Sequence, residues 1–204
     1  MSDLMSSLPE HDQHGLLVAR GFGEAFSCLW VEQDNLDELA RLLRLEPRSR
    51  HDRLLAEEVP TMTDPSTYLD EKKSIWIGSH SPGWSIVIST LEPRTTGFLV
   101  KTGNRLLTIG WLWEIHGLHD LNFFRDGDLV EAIPSFPSGE LDPGPELEPF
   151  SLGLPREGDE ETGEEKLAHA FLTIVGRMTG RFIDDDWFLI PGRTYNHRIS
   201  EADA

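Results

Sequence analysis

Asp184, Asp185 and Asp186 are three consecutive acidic residues and therefore a candidate metal-binding or acid/base site. Clustered carboxylates bind hard cations or act as general acids and bases. A calcium-binding loop needs alternating acidic positions and a glycine, and this run has neither. We therefore expect a turn between a helix and a strand. If the turn is functional, Asp184 and Asp186 are the pair that share a face.

A second group of potential ligands surrounds a glycine. Glu114 and His116 precede Gly117, and His119 and Asp120 follow it. Zinc or iron needs three converging nitrogen or oxygen donors, which two histidines and a carboxylate can provide. Gly117, however, predicts a turn or bulge, and the side chains on its two sides then point independently. The alternative is that these are polar residues on the wet face of a half-buried sheet.

The sequence lacks the common motifs of catalysis and cofactor binding. It contains no G-x-S-x-G, no phosphate-binding G-x-x-x-x-G-K-[ST], no H-E-x-x-H, and no G-x-G-x-x-G that follows a strand. Cys28 is the only cysteine, so the chain forms no internal disulfide and no cysteine metal cluster, and its place in a predicted strand indicates a buried, inert thiol. We therefore expect no cofactor and favour a protein that is not an enzyme.

The charge of the chain is strongly negative, at -18 from 36 acidic and 18 basic residues. A field of this sign repels nucleic acid unless a basic patch compensates it, and the sequence shows no such patch. Two interpretations remain open: the charge attracts a basic protein partner, or it serves solubility alone.

Half of this charge lies between positions 139 and 165, where ten acids and one arginine are mixed with nine glycines and prolines. This composition predicts a solvated loop. We expect the loop to contribute acidic contacts to a partner, and one or two of the six tryptophans to act as exposed anchors because tryptophan is enriched at interface hot spots. The partner-binding candidates are Glu157, Asp159, Glu160, Glu161, Trp84 and Trp187. At least four tryptophans are expected in the core.

Hydrophobic periodicity predicts a strand over residues 24–32, a helix over 34–47 capped by Asp34, and a second short helix over 48–60. A hairpin follows with its turn at Pro82 and Gly83. A long strand then has one apolar face made of Leu107, Ile109, Trp111, Trp113 and Ile115.

The remaining elements are a hairpin, a helix and a strand. Asp126 and Gly127 are typical of a tight hairpin turn. A capping box at Thr162 predicts an amphipathic helix that ends at Gly180 with His169 turned to water, and a last strand covers residues 187–190. Strands that form hairpins predict an α+β fold with an antiparallel sheet of about five to seven strands, packed by two or three helices.

The chain length suits one domain, which we place at residues 16–196, between a disordered segment over 1–15 and a polar tail over 197–204. No apolar run is long enough to cross a membrane, and the first residues lack the pattern of a secretory signal. We expect a monomer or weak dimer in the cytoplasm, without nucleic-acid or membrane partners.

The order of these elements, with Gly83-Trp84 and Asp126-Gly127 as its markers, resembles an uncharacterised family of small bacterial proteins. The resemblance covers residues 24–136 and the late helix; it implies the α+β fold and a bacterial origin. The composition is also similar to that of immunity proteins, which neutralise basic toxins. The first functional hypothesis is therefore a non-catalytic acidic domain that binds a basic partner, such as an inhibitor or immunity protein. The alternative is a metal-dependent or acid/base hydrolase that uses His116, His119 and nearby carboxylates.

Overall fold

The computed structural model describes residues 4–64, 72–89, 104–158 and 163–198. These residues form four α-helices and a nine-stranded antiparallel sheet, which confirms the predicted α+β class and adds strands to the expected number. The helices are α1 (Gln13–Leu17), α2 (Leu36–Leu42), α3 (Leu55–Met62) and α4 (Gly163–Thr179). The strands are β1 (Ala25–Val31), β2 (His51–Leu54), β3 (Lys72–Ser81), β4 (Trp84–Ser89), β5 (Leu106–Leu112), β6 (Gly117–Leu118), β7 (Leu121–Arg125), β8 (Asp128–Ile133) and β9 (Pro191–Arg198).

The strand order is β2-β9-β3-β4-β1-β5-β7-β8, and the short β6 pairs with β5. Both predicted hairpins are present. Gly83 connects β3 to β4 with φ of 86°, and the turn from β7 to β8 has positive φ at both Asp126 (53°) and Gly127 (100°). Glycine and aspartate tolerate this region of backbone space better than most residues, so local chemistry determines both turns.

The front face of the sheet, defined here as the side that carries Trp30, Trp76 and Trp111, holds the larger core. Helices α1, α3 and α4 contribute to this core. In α4 the apolar residues recur every three or four positions, so they share one face and pack together. The buried residues of this stripe are Leu167, Phe171, Leu172, Ile174 and Val175.

The back face of the sheet is the side that carries Leu29, Val31 and Val87, and α2 packs against it. Leu39 and Leu43 of α2 are fully buried there. The cap of α2 is Asn35 rather than the predicted Asp34, because the Asn35 Oδ1 accepts the backbone N–H groups of Asp37 and Glu38 at 3.0 and 3.1 Å.

Three predicted elements differ from the structure. Residues 48–60, expected to be a helix, divide into β2 and α3, because residues 51–54 pair with β9 at the edge of the sheet. Residues 187–190, expected to be a strand, lie in a 3₁₀ turn at Asp185–Leu189, and the last strand starts at Pro191. The long strand, expected to continue to Ile115, ends at Leu112 as β5. The N–H groups of Ile115 and His116 both donate to the Leu112 carbonyl and form a turn.

The N-terminal segment also differs from the disordered stretch expected over residues 1–15. A 3₁₀ turn at Leu4–Ser6 is followed by α1, which packs on α4. Asp12 caps α1, since its Oδ1 accepts the N–H of His14 at 3.1 Å. Among the helices described, none is long and apolar enough to cross a bilayer.

The described part of the acidic segment, residues 139–158, packs onto the front core, although its composition predicts a solvated loop. Three leucines within it are buried: Leu141, Leu147 and Leu154. The carboxylate of Glu131 on β8 accepts the N–H groups of Gly144, Glu146 and Leu147 at 2.8, 2.8 and 3.4 Å. The three leucines thus anchor the irregular segment to the core, and the Glu131 side chain satisfies the hydrogen bonds of its backbone N–H groups.

Candidate functional site

Four segments that are far apart in sequence converge at one end of the molecule. Gly117 lies against the carboxylate of Glu164, and Gly139 lies directly against the backbone of Gly163. The N–H of Leu141 donates to the carbonyl of residue 156 at 3.1 Å. Residues 114–118, 138–142, 156–158 and 163–165 therefore form one surface, which we name the acidic pole.

The acidic pole contains six carboxylates and one arginine, so its formal charge is -5. The arginine, Arg156, is paired at 2.8 Å with Glu148, which lies outside the acidic pole. No ion pair is found for the six carboxylates within the described part of the chain. The six are Glu114, Glu140, Asp142, Glu157, Glu164 and Glu165.

Carboxylates elsewhere in the molecule are paired with arginines far more often. Glu32 and Arg105 form an ion pair at 2.5 Å, and Asp37 contacts both Arg193 and Arg50. Asp185 contacts Arg20, and Glu146 contacts Arg125 at 2.8 Å. Arginine partners thus offset part of the negative charge elsewhere on the surface and leave the carboxylates of the acidic pole as a concentration of negative charge.

A cleft of about 90 Å³ opens on the back face of the sheet, where β1, β5 and β7 lie side by side. Its floor is small and polar. Ser27 of β1 faces Gly110 of β5, and Thr108 of β5 faces Asn122 of β7. Gly110 leaves no room for a side chain, because an added Cβ would lie 2.6 Å from the carbonyl oxygen of Phe26.

The polar side chains of the cleft are held by hydrogen bonds that leave two oxygens open. The Asn122 amide nitrogen donates to Thr108 Oγ1 at 3.3 Å and to the Asp120 carbonyl at 3.2 Å, so its Oδ1 remains as an acceptor. Asp120 Oδ1 accepts the N–H and the hydroxyl of Ser135 at 2.8 and 3.1 Å, and its second oxygen has no hydrogen bond to a described residue.

The histidine group connects the acidic pole to this cleft. His116 and Glu114 lie exposed in the turn that follows β5, and His119 lines the cleft, anchored by its N–H to the carbonyl of Gly110 at 2.9 Å. The His116 and His119 ring centroids are 6.1 Å apart. Among the residues that the structure describes, no three His, Cys, Asp or Glu side chains are arranged to hold a metal ion. The hydrolase alternative therefore stays a prediction of the sequence.

The three aspartates form a helix-like turn. The Asp184 Oδ1 accepts the N–H of Trp187 at 2.8 Å as the cap of the 3₁₀ turn, and it also pairs with Arg181 at 3.1 Å. Asp185 pairs with Arg20. Asp184 and Asp185 thus have structural partners, as the expected turn predicts.

The tryptophans expected as partner anchors are in the core. Trp84 and Trp187 are 5% and 0% exposed, so neither presents its ring to a partner. Trp84 at the start of β4 and Trp187 in the 3₁₀ turn both belong to the larger core on the front face. Of the acidic candidates, Glu157 is exposed at the acidic pole, whereas Asp159, Glu160 and Glu161 lie outside the described residues.

Two further histidines lie beside the acidic pole, His14 buried and His169 half-buried. His14 lies edge-on to Trp111 and Trp113, with ring centroids 5.1 and 5.8 Å away, and burial lowers its pKa. His169, expected to face water, accepts the N–H of Gln13 through its Nδ1 at 3.1 Å, and burial lowers its pKa as well. The capping pattern at Asp12 was the one local signal for this packing.

Comparison of the chain with protein-family models, with curated proteins and with solved structures finds no match. The resemblance to an uncharacterised bacterial family therefore stays a prediction.

Proposed function

We propose that this chain is a non-catalytic binding domain whose acidic pole docks a basic protein partner. The observation that supports the proposal most directly is the unequal distribution of ion pairs. Many carboxylates elsewhere have arginine partners, whereas six at the acidic pole converge without one among the described residues. A partner with lysines and arginines would supply the missing countercharges.

The repulsion between crowded carboxylates distinguishes a docking surface from a surface that serves solubility alone. Like charges held close together repel and oppose the compact state, and solubility requires only that charges be spread over the surface. Packing of residues 138–142, 156–158 and 163–165 instead concentrates the carboxylates. Concentrated charge raises the rate at which an oppositely charged partner arrives and favours one orientation of docking.

An inhibitor or immunity protein for a basic target is the most concrete form of this function. Such a protein needs a rigid acidic surface and no catalytic group. Backbone contacts of Gly139 with Gly163 and of Leu141 with residue 156 support the first requirement, and Glu131 and Arg177 bind the segment between residues 142 and 156. We expect this activity in the cytoplasm of a bacterium.

The test uses two variants of equal charge and measures binding to a panel of purified basic proteins and to a labelled arginine-rich peptide. The pole variant removes four charges at the acidic pole. The control variant removes four exposed charges, two in the segments that flank α2 and two on the β7–β8 hairpin. The pole variant is Glu140→Gln, Glu157→Gln, Glu164→Gln and Glu165→Gln; the control variant is Asp34→Asn, Glu46→Gln, Asp126→Asn and Asp128→Asn.

We expect the wild-type chain to bind a member of the panel with an affinity that falls by roughly tenfold or more when salt rises from about 0.05 to 0.3 M. The pole variant should lose most of this affinity, and the control variant should keep it. Equal losses in both variants would show that net charge alone acts, and binding that is insensitive to salt would contradict the proposal.

A further inference from the structure

The cleft on the back face is too small for a cofactor or metabolite. Its volume of about 90 Å³ is far below the roughly 300–1,000 Å³ of typical small-molecule sites. A volume of this size holds the tip of one side chain. A cleft of this size suits a single polar side chain that a protein partner inserts.

The hydrogen-bonding groups of the cleft select a donor. Both amide hydrogens of Asn122 are already used, which leaves its Oδ1 to accept, and the second carboxylate oxygen of Asp120 accepts as well. The hydroxyls of Ser27 and Thr108 have lone pairs beside them. A group that offers several N–H donors and a positive charge complements this set of oxygens.

The shape of the cleft favours a planar cation. Phe124 of β7 lines one side, and its ring is an apolar surface on which a guanidinium stacks. Arginine carries five donors in a fixed plane, whereas the lysine ammonium is a compact point charge that stays strongly hydrated. Apart from Asp120, the titratable side chains that line the cleft within the described part of the chain are His119 and Cys28, and the Cys28 side chain is fully buried in the core on the other face.

Among the described residues, the cleft lies next to the turn that belongs to the acidic pole. The helix on the back face, α2, packs beside the cleft, since Leu29 belongs to both, and the polar residues of the cleft lie further along the sheet toward β7. The His119 and His116 rings join the cleft to the turn that carries Glu114. A partner drawn to the acidic pole therefore has the cleft within its contact area.

We infer that this cleft is an arginine pocket: it binds the guanidinium group of one arginine side chain of the basic partner between Asp120, Asn122 and Phe124. The inference rests on the proposed function, because the arginine belongs to the partner docked on the acidic pole. It adds a specificity that the pole alone does not have, since a patch of carboxylates binds lysine and arginine alike.

The first experiment titrates the isotope-labelled chain with acetyl-arginine amide and follows the backbone amides by NMR. Acetyl-lysine amide has the same charge, and acetyl-citrulline amide has nearly the same shape without charge. We expect millimolar binding of the arginine compound, with shifts confined to residues 27, 108–110 and 119–124, and at least threefold weaker binding of the other two. Equal binding of lysine, or shifts spread over the acidic pole only, would overturn the inference.

Two substitutions test the pocket directly. Asp120→Asn removes the charge and keeps an oxygen for Ser135, and Ser27→Val fills the floor of the cleft with a side chain suited to a strand. Each should weaken arginine binding at least threefold while the melting temperature shows that the fold persists. Unchanged affinity in both folded variants would overturn the inference.

The two proposals can fail separately. Loss of partner binding in the pole variant, with no effect of Asp120→Asn or Ser27→Val on arginine, would leave the binding function and remove the arginine pocket. Specific binding of acetyl-arginine amide in the cleft, with no basic protein bound by the wild-type chain, would retain the pocket and remove the proposed partner.

Discussion

The indole N–H of Trp187 donates to Nδ1 of His80 at 3.2 Å inside the core. The other ring nitrogen of His80 lies 2.9 Å from Thr179 Oγ1, which itself donates to the Val175 carbonyl at 2.8 Å. These partners determine the tautomer: Nδ1 accepts from Trp187, and Nε2 carries the proton and donates to Thr179. Burial, with a smaller effect of Arg181, lowers the pKa of His80 to about 3.

The stability of the protein should decline as the pH falls below 6.5. In the unfolded chain His80 binds a proton near its ordinary pKa of 6.5, whereas the folded ring stays neutral down to about pH 3. Because the unfolded state alone takes up this proton, each pH unit between these values costs about 1.4 kcal/mol of folding free energy.

The variant His80→Gln isolates this contribution, since glutamine offers an acceptor and a donor without titrating. We expect the free energy of unfolding of the wild type, relative to that of the variant, to fall by about 2 kcal/mol between pH 7 and pH 5. Urea denaturation at both pH values measures this difference. A constant difference would show that the His80 ring does not stay neutral in the fold.

Glu131 should stabilise the acidic segment through its three backbone hydrogen bonds. Glu131→Ala leaves the N–H groups of Gly144, Glu146 and Leu147 without their acceptor, which we expect to cost about 1–3 kcal/mol. Urea denaturation gives the cost, and faster hydrogen exchange at these three amides locates it. Glu140→Ala, an exposed acid of the same segment, is the control, and an equal effect of the two substitutions would contradict the role of Glu131.

Arg177 of α4 is buried and bonds three carbonyl oxygens. Its guanidinium donates to Ser7 at 3.0 Å, and to Phe150 and Leu152 at 2.8 Å each, so it ties the N-terminal segment and the acidic segment to one helix. Burial lowers its pKa, so the buried charge has a cost.

We expect Arg177→Met to destabilise the fold by about 2 kcal/mol, because three carbonyls left unsatisfied outweigh the relief of burying one charge. Urea denaturation measures the loss, and limited proteolysis should cut within residues 4–8 of the variant. Exposed Arg48→Met is the matched control. A more stable Arg177→Met variant would show that the desolvation of the guanidinium outweighs its three hydrogen bonds.

Cys28 should be unreactive in the native state. Its side chain is fully buried, so a reagent cannot reach the sulfur, and burial raises the pKa of the thiol well above its ordinary value, so the reactive thiolate does not form. We expect no reaction with a thiol reagent at pH 8 until guanidinium unfolds the chain, when one equivalent reacts.

Ser27→Cys supplies the matched control for Cys28. Its thiol faces the cleft one residue away, on the other side of the sheet, and should react promptly in the folded protein. Rapid native labelling of the wild type would contradict the burial of Cys28.

Much of the local structure was determined by sequence alone. Asp126 and Gly127 tolerate positive φ, and the three-to-four residue spacing of apolar side chains makes α4 amphipathic, so short-range chemistry was sufficient to predict both elements. The net charge follows directly from the composition, and the place of Cys28 in an apolar strand was sufficient to predict its burial. Errors occurred where distant pairing overrides local preference, as in β2, whose charged residues form a strand only beside β9.

The position of the candidate site depends on contacts between distant segments and could not be predicted from the sequence. The acidic pole exists because Gly117 meets Glu164 and Gly139 meets Gly163, and the cleft exists because the register of three strands aligns Ser27 with Gly110 and Thr108 with Asn122. No local pattern encodes a register between segments far apart in the chain. It depends on how both faces of the sheet bury their apolar side chains at once, a property of the whole core.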